Sequence, residues 1–571
     1  MLSKKTFISS KFYSMLTGGI ITSFFLTFTV MADAFIAGLR LGEHAVIGVN
    51  LVMPAYSLAS FFALLFSLGV PIIYSREVGA FEKSEADNTL GVGILCTSFI
   101  GVVLFVLLYF CGNTYLEYMN PESATLIHAE NYLFWIKYVV LISPFEALLS
   151  GMVFADGDEL LSTIANVTSA ISNIVLSVYL AGINGASGLG FASFISLVAS
   201  LFILSFHFIR RGNSLRIKLY FSFSKFIKIV KYSIVDSSTY LFLMLFLSIM
   251  NSFIFRTYNG SMLALVPIIA FIKEIQIVFS GVGDALTPII SVYLGEKTYQ
   301  GVIEVWKLAR KTAAIISIIV TVGIMLGAPY IVYYFGIENP QTVKIAVDGL
   351  RIMSITLIFT SRMYLDSSYY ILIDKIPLGV LICALRDFVI AVPFAVIGDY
   401  LWGVYGLFIG IMIAPVFGYL IAYFYVCIKY GRDSYVLFIP PLERERHIWM
   451  YEFEVTPEVI VAIRDKIGDT LIESGQSDGT VNRVMILFEE LFMLIYDLNP
   501  EKTVLAECIV ESGNRVRIIT KDDGIYYDLT DRDQKIESLR SFIVSEITEK
   551  LTRKRINLIS LSFNRNAFEI E

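Results

Sequence analysis

Residues 30–54, VMADAFIAGLRLGEHAVIGVNLVMP, set one carboxylate, Asp33, inside an apolar run long enough to cross a bilayer. An aspartate at the centre of a membrane helix costs roughly 2.5–3.5 kcal/mol on insertion scales. Such a residue marks a proton, ion or substrate site unless it only caps or kinks a helix near the interface. The whole chain has the same character around it. Of its 571 residues 56% are hydrophobic and 14% aromatic, and the mean hydropathy is +0.70. A soluble enzyme of this size is excluded, and a polytopic membrane protein is expected. The net charge of −6 does not point to an acidic partner or to nucleic acid, because the charges are concentrated in the last quarter of the chain.

The five cysteines, Cys96, Cys111, Cys383, Cys427 and Cys508, are scattered and show no metal-ligand spacing. His44, His128, His207 and His447 form no cluster, so neither a zinc site nor a His-based triad has support and no enzymatic activity is expected. Lys4, Lys5 and Lys11 precede a first apolar segment too long for a signal-peptide core, which reads as a retained first helix.

Apolar segments fall at 12–39, 46–75, 90–112, 131–154, 160–181, 186–209, 232–256, 262–292, 312–335, 346–373, 377–398 and 401–428, which gives twelve expected membrane helices. Arg210, Arg211, Arg216, Lys218, Lys225, Lys228 and Lys231 lie between segments six and seven. Lys297, Lys307, Arg310 and Lys311 join them on the side of the basic N-terminus, and residues 112–130 on the other side carry no basic residue. The positive-inside rule puts both termini in the cytoplasm.

An internal repeat supports a six-plus-six division: Pro71-Ile72-Ile73 ends segment two as Pro288-Ile289-Ile290 ends segment eight, and Gly42 and Gly260 precede the two. Parallel repeats related by an axis along the membrane normal are a transporter layout. The expected domains are an N-terminal lobe (1–210), a basic linker (211–231), a C-terminal lobe (232–430), a charged Pro-Pro linker (431–446) and a soluble module (447–571). In that module YEFEV (451–455) and NRVRIIT (514–520) read as strands, and 457–474 and 481–497 as amphipathic helices. The fold class is therefore an all-α membrane region followed by a small α+β domain.

Several short motifs occur in order. Asp33 is followed by Phe35, Ile36 and Gly38, then Leu41-Gly42, then Val49-Asn50 and Pro54; NIVLS spans 173–177 and GASGLGFAS spans 185–193. TYNG (257–260), GVGDALTPIIS (281–291) and ALRDFVIAVP (384–393) follow in the second half. Together these resemble the multidrug and toxic compound extrusion (MATE) transporters over about three quarters of the chain. The resemblance implies a polar first-lobe pocket of Asp33, Asn173, Ser177 and Ser193, in which a proton or a sodium ion opposes drug binding. Ser177 stands where the family has a second carboxylate. Two close carboxylates can share a proton, whereas a lone Asp33 must rely on desolvation. Both coupling ions stay open: a proton on Asp33, or sodium at Asp33, Asn173 and Ser177, because hard cations favour oxygen ligands.

In the second lobe Asp366, Glu274, Asp236 and Asp284 are candidates on burial cost. Asp366 leads because its LDSSYYIL run has no charged neighbour. Asp236 has the alternative of capping helix seven, Asp284 lies near a Gly-rich break, and Lys273 and Glu274 have the alternative of pairing with other helices.

The tail resembles the ATP-binding domain of the GHKL superfamily, especially the anti-sigma-factor kinases, through LFEELFMLIYDLNPE (487–501), KDDGIYYDLTD (521–531) and LSFNRNAFEIE (561–571). The implied nucleotide residues are Glu490, Asp522 and Gly524. Leu494 stands where that superfamily has its magnesium-holding Asn, and ESLRSFIVSEI (537–547) has no glycine to let backbone approach a phosphate. No ATP or other cofactor is therefore expected, and a protein-docking or structural role is favoured, with an unidentified protein as its partner.

The expected function is efflux of amphipathic, often cationic organic compounds across the plasma membrane in exchange for inward protons or sodium. A lipid-linked-precursor flippase would instead need a cavity lined with several bases, and a membrane-anchored signalling protein would need a working ATP site.

Overall fold

A computed structural model describes residues 6–79, 83–119, 122–156, 158–209, 215–258, 262–296, 298–337, 339–431, 437–438, 447–500, 502–513, 516–525, 551–553 and 566–570. Each of the twelve expected segments falls on helix. The first lobe holds α1 (Phe7–Leu41), α2 (Glu43–Gly79), α3 (Lys83–Tyr118), α4 (Ser123–Ala155), α5 (Glu159–Asn184) and α6 (Ala186–Ser205). The second holds α7 (Phe223–Tyr258), α8 (Val266–Ile275), α9 (Ser280–Glu296), α10 (Tyr299–Tyr334), α11 (Pro340–Ser354), α12 (Thr356–Leu372), α13 (Ile376–Ala384) and α14 (Ala391–Tyr430). Nine stretches among the described residues are long and apolar enough to cross a membrane.

Second-lobe segments are less regular than the spacing of apolar residues suggests. Segment eight is built from α8 and α9 with a 3-10 turn, Gln276–Phe279, between them. Segment ten is split into α11 and α12 at Ile355. Segment eleven is interrupted by a π-turn at Leu385–Val389, and non-helical backbone at Trp402 and Gly403, beside the expected boundary between 398 and 401, separates it from segment twelve. Turns of this kind free backbone groups and recur at functional positions in helices.

The opening motif has a direct structural reading. Gly42 sits between α1 and α2 at φ 87°, a left-handed conformation that glycine adopts without steric cost. A Cβ at Gly38 would overlap the Tyr334 carbonyl oxygen and lie 2.9 Å from the Phe335 carbonyl carbon, so this glycine sets how closely α1 approaches the end of α10. Phe35, Phe271 and Phe335 interlock beside it, with ring centroids 4.7–6.1 Å apart.

The basic linker is shorter than expected. Arg210 and Arg211 lie outside the described residues, and α7 already begins at Phe223. Lys225 is therefore helical and buried, and it reaches Glu77 at 2.7 Å, Glu85 at 3.1 Å and Thr89 at 2.8 Å. Its charge ties α7 to α2 and α3, which is why it is not solvated. Most of the second linker, 432–436 and 439–446, lies outside the described residues.

The described residues form two compact units. One comprises Gly18–Asp284 and Arg310–Val436, the bulk of both helical lobes. The other comprises Met1–Thr17, Ala285–Ala309 and Leu437–Glu571, so it joins the C-terminal domain to the first residues of α1, the end of α9 and the start of α10. The domain is an antiparallel sheet of β1 (His447–Glu454), β2 (Leu505–Ser512), β3 (Val516–Asp522), β4 (Leu551–Arg553) and β5 (Asn566–Ile570), in the order β1-β2-β3-β5-β4. Two helices, α15 (Pro457–Glu473) and α16 (Asp478–Leu498), intervene between β1 and β2. Ser477 caps α16 by accepting from the Thr480 amide at 3.3 Å.

Strand alternation divides this sheet into two faces. Tyr451, Phe453, Ala506, Cys508, Val510 and Ile518 form a core with Ile460, Leu471, Phe488 and Phe492 of the two helices. Glu452, Glu507, Ile509, Ile519 and Lys521 project the other way. On that second face Glu507 and Lys521 are fully buried, and Ile509 and Ile519 are each 2% exposed.

Two outcomes follow from this packing. Gly38→Val should lower the thermal midpoint in detergent, since overpacking costs about 1–3 kcal/mol, whereas Gly182→Ala, with nothing within 4 Å, should not. Burial raises Glu452 from its ordinary 4.5 to about 7. The Thr6 side chain and the Ile8 amide oppose the rise by hydrogen bonding, and the charges of Glu507 and Glu304 add to it. The folded protein thus keeps a proton that the unfolded chain releases, so stability should be fullest below about 4.5, fall as pH rises towards about 7, and then level off. Unfolding followed across that interval checks the slope, which Glu452→Gln should flatten.

Candidate functional site

Four helices of the first lobe converge on Asp33, which is 4% exposed. The residue lies well inside α1, not at a cap. Tyr132 of α4 donates to Asp33 Oδ2 at 2.8 Å, Ser193 of α6 donates to the same oxygen at 3.0 Å, and Ser177 of α5 donates to Oδ1 at 3.1 Å. Asn173, one turn before Ser177 on α5, donates its amide to Ser193 Oγ at 2.8 Å. Its own Oδ1 is buried and has no hydrogen-bond partner among the described residues. The structure thus gathers Asp33, Asn173, Ser177 and Ser193 into one polar cluster, with Asn173 reaching the carboxylate through Ser193.

Helix periodicity explains the convergence. Asn173 and Ser177 share a face of α5 because they are four residues apart. Hydrogen bonds to a charged group contribute about 1.5–3 kcal/mol each. Three of them are of the size needed to offset the cost of holding a carboxylate in the membrane interior.

Sequence reading missed two residues. Tyr132 sits in an aromatic-rich stretch with nothing to separate it from packing aromatics. Glu146 carried a usable signal, a carboxylate inside the apolar run VVLISPFEALLSGMVF of α4. It is 8% exposed and accepts from Ser200 Oγ of α6 at 2.5 Å. Ser150, Ser162 and Asn166 form a further hydrogen-bonded group nearby in sequence on α4 and α5.

The second-lobe candidates do not gather around one atom. Asp366 is 1% exposed, and Arg362, one turn earlier on α12, comes within 4.0 Å of it. Its charged neighbour lies just outside the run that looked isolated in sequence, and helical geometry brings the two together. Asp236 lies far inside α7 and therefore does not cap it; it is near Arg386 and Asp284. Asp284 is exposed on α9, next to Gly281 and Gly283. Glu274 is buried on α8, and the adjacent Lys273 lies 4.7 Å over the Phe246 ring.

The π-turn places Arg386 and Asp387 side by side. Arg386 is fully buried, bonds Asp387 at 2.6 Å and Thr239 at 2.9 Å, and stacks 3.4 Å over the Tyr364 ring; Gln276 donates to Asp387 at 2.8 Å. Lys273, Arg362 and Arg386 thus each have an acid or an aromatic face against them.

In the C-terminal domain Asp522 Oδ1 accepts from the Gly524 amide at 2.9 Å, and Asn499 Oδ1 accepts from the Ile525 amide at 2.8 Å. The turn is closed by its own side chains. Glu490 is half-buried on α16, and Leu494 packs in the domain interior. Residues 537–547 and most of the closing 561–571 motif lie outside the described residues. No group of three or more His, Cys, Asp or Glu suited to a metal ion occurs among the described residues.

The MatE family model matches residues 19–179. Among curated proteins no relative matches. Among solved structures, the inward-facing conformation of a multidrug resistance MATE family transporter of the MOP superfamily is similar at 22% identity, covering 71% of this chain and 94% of that one with a TM-score of 0.62. An outward-facing conformation of such a transporter matches at 22% identity, 74% and 96% coverage and a TM-score of 0.55. A MOP superfamily transporter from Pyrococcus furiosus, described as having a binding pocket of reverse polarity that suggests a different function, matches at 21% identity, 75% and 97% coverage and a TM-score of 0.57. Residues 19–179 therefore carry the MatE family pattern, and the helical region has the fold of MATE-type transporters of the MOP superfamily.

Proposed function

We propose that the chain is a secondary-active exporter of amphipathic organic compounds, often cations, driven by inward movement of a coupling ion through the plasma membrane with both termini in the cytoplasm. The observation that carries this reading is Asp33, a membrane-interior carboxylate held by three hydroxyl donors from three other helices. A proton is the preferred coupling ion. Tyr132, Ser177 and Ser193 are hydroxyl rotors, so they can donate to the ionised carboxylate and turn to accept from the protonated one without moving their helices. Each inward charge supplies about 2.3 kcal/mol per 100 mV of membrane potential.

Protonation removes the charge around which α4, α5 and α6 are drawn to α1. That change biases the two lobes between arrangements that open to opposite sides, and substrate binds the arrangement in which Asp33 is ionised. Sodium is the second reading, supported by the unpartnered Asn173 Oδ1, which would complete an oxygen set with Asp33 and Ser177. The flippase reading has less support, since the second-lobe bases are matched by Asp387, Asp366 and aromatic rings. Asp366, Glu274, Asp236 and Asp284 remain proposed second-lobe partners in substrate or ion binding.

Purified protein in liposomes, loaded with a fluorescent organic cation and given either a pH or a sodium gradient, tests the scheme. Asp33→Asn should abolish gradient-driven exchange while leaving thermal stability in the wild-type range; coupled exchange at the wild-type rate would refute the role of Asp33. Ser177→Ala and Tyr132→Phe each remove one donor to the carboxylate. Each should shift the coupling-ion concentration at half-maximal exchange by roughly tenfold to a hundredfold, in the same sense, as expected for a hydrogen bond to a charged group.

A further inference from the structure

The C-terminal sheet leaves one face to α15 and α16, and its second face is buried as well. Across three adjacent strands of that second face three ionisable residues lie in register: Glu452 opposite Glu507, and Glu507 opposite Lys521. Glu452 is half-buried, but Glu507 and Lys521 are fully buried, and charges held that deeply must be paired and hydrogen-bonded, since an uncompensated one costs several kcal/mol. Their partners come from the helical region. Tyr293, near the end of α9, donates to Glu507 Oε2 at 2.8 Å. Lys521 Nζ lies 3.4 Å from the same oxygen and 4.3 Å over the Tyr293 ring. Gly301 of α10 also packs against that ring, where a Cβ would come within 2.6 Å of it. At the other end of the row Glu452 lies beside Thr6 and Ile8 at the start of α1, which belongs to the same compact unit as the domain.

The two attachment points belong to different lobes. Thr6 and Ile8 begin the first helix of the first lobe, whereas Tyr293 and Gly301 sit at the α9–α10 turn of the second. A paired sheet is stiff across its strands, because backbone hydrogen bonds hold each strand about 4.7–4.9 Å from the next. One rigid element therefore grips the same-side ends of both lobes.

We propose that the C-terminal domain is a built-in clasp, an interaction surface whose partner is the chain's own α1 start and α9–α10 turn, and that it must let go of one of them before the lobes can separate on that side. The inference rests on the reading of the helical region as a two-lobe transporter that rocks. In a rocking cycle the ends bridged by the clasp have to part. A bridge that holds them together biases the resting protein to the arrangement closed on its side, and whatever loosens the domain raises the fraction of open molecules. The charged row within the contact suits a reversible attachment: separated, Tyr293, Glu507 and Lys521 are groups that water can satisfy, while Ile509 and Ile519 on the same face favour the closed state.

The test uses the full chain. Spin labels at the exposed positions Leu160 and Arg310, one in each lobe on the side of the N-terminus, report the separation of the two lobes by pulsed dipolar spectroscopy, and hydrogen exchange across Leu505–Ser512 reports whether β2 is held. In Glu507→Lys, and more mildly in the pair Tyr293→Phe with Glu507→Gln, exchange in β2 should speed up at least tenfold and a second, longer distance should appear. Faster exchange with an unchanged distance distribution overturns the clasp, as does unchanged exchange in both variants. Because the distance is read without substrate or gradient, its outcome is separate from that of the Asp33 experiment: loss of coupled transport in Asp33→Asn with no effect of Glu507→Lys on the distance would leave the transporter reading standing and remove only the clasp.

Discussion

The membrane interior contains no water to complete a hydrogen-bond shell, and the first lobe is organised by that fact at Asp33. A carboxylate there needs donors, and they have to come from other helices because its own backbone is already engaged in α1. Tyr132, Ser177 and Ser193 meet the need from α4, α5 and α6, so the polar cluster also fixes the relative rotation of four helices. Small residues complete the arrangement: Gly38 lets α1 approach α10 at one end, and Gly281 approaches Gly19 in the same way further along. The costly residue and the close-packed ones depend on each other, since donors reach a carboxylate only if the backbones are near enough.

The second lobe meets the same constraint differently. Its acids are spread over α7, α8, α9 and α12, and its bases are kept close to them, as in the Arg386–Asp387 pair seated on the π-turn. The extra residue in such a turn points two neighbouring side chains toward one face, which an ordinary helix does not allow for positions i and i+1. Asp33 thus sits among neutral donors, whereas the second lobe sets acids and bases against one another. A change of protonation is felt more sharply in the first arrangement, because the described partners of Asp33 are all uncharged hydroxyls.

Much of this was legible in the sequence. Length and continuity of apolar runs located the helices, since a bilayer demands about 20 such residues wherever it is crossed. The cluster around Asp33 was reachable through motifs read in order, and the four-residue spacing of Asn173 and Ser177 already put them on one face. The break at Trp402–Gly403 falls beside the boundary read between segments eleven and twelve, and Gly403 takes φ 62° there. The 3-10 turn between α8 and α9, the tightened turn at Ile355 and the π-turn at Leu385–Val389 were not legible, because such local shifts of hydrogen bonding are set by tertiary packing and not by residue type. Tyr132 was hidden for a related reason: a tyrosine that donates to a carboxylate looks in sequence like any other ring in an aromatic-rich helix. Glu146 could have been found by the argument that found Asp33, and Arg362 by counting one turn back from Asp366.

The double-sided burial of the C-terminal sheet has a consequence for how the protein is made. Glu507 and Lys521 meet Tyr293, and Glu452 meets Thr6 and Ile8, only when the α9–α10 turn and the start of α1 are both in place. Those pieces are synthesised first and the sheet last, so the domain cannot reach its final packing on a chain whose helices have inserted wrongly. Completion of the last strands then depends on prior assembly of the helical region, and a chain in which those ends stay apart leaves Glu507, Lys521, Ile509 and Ile519 facing water.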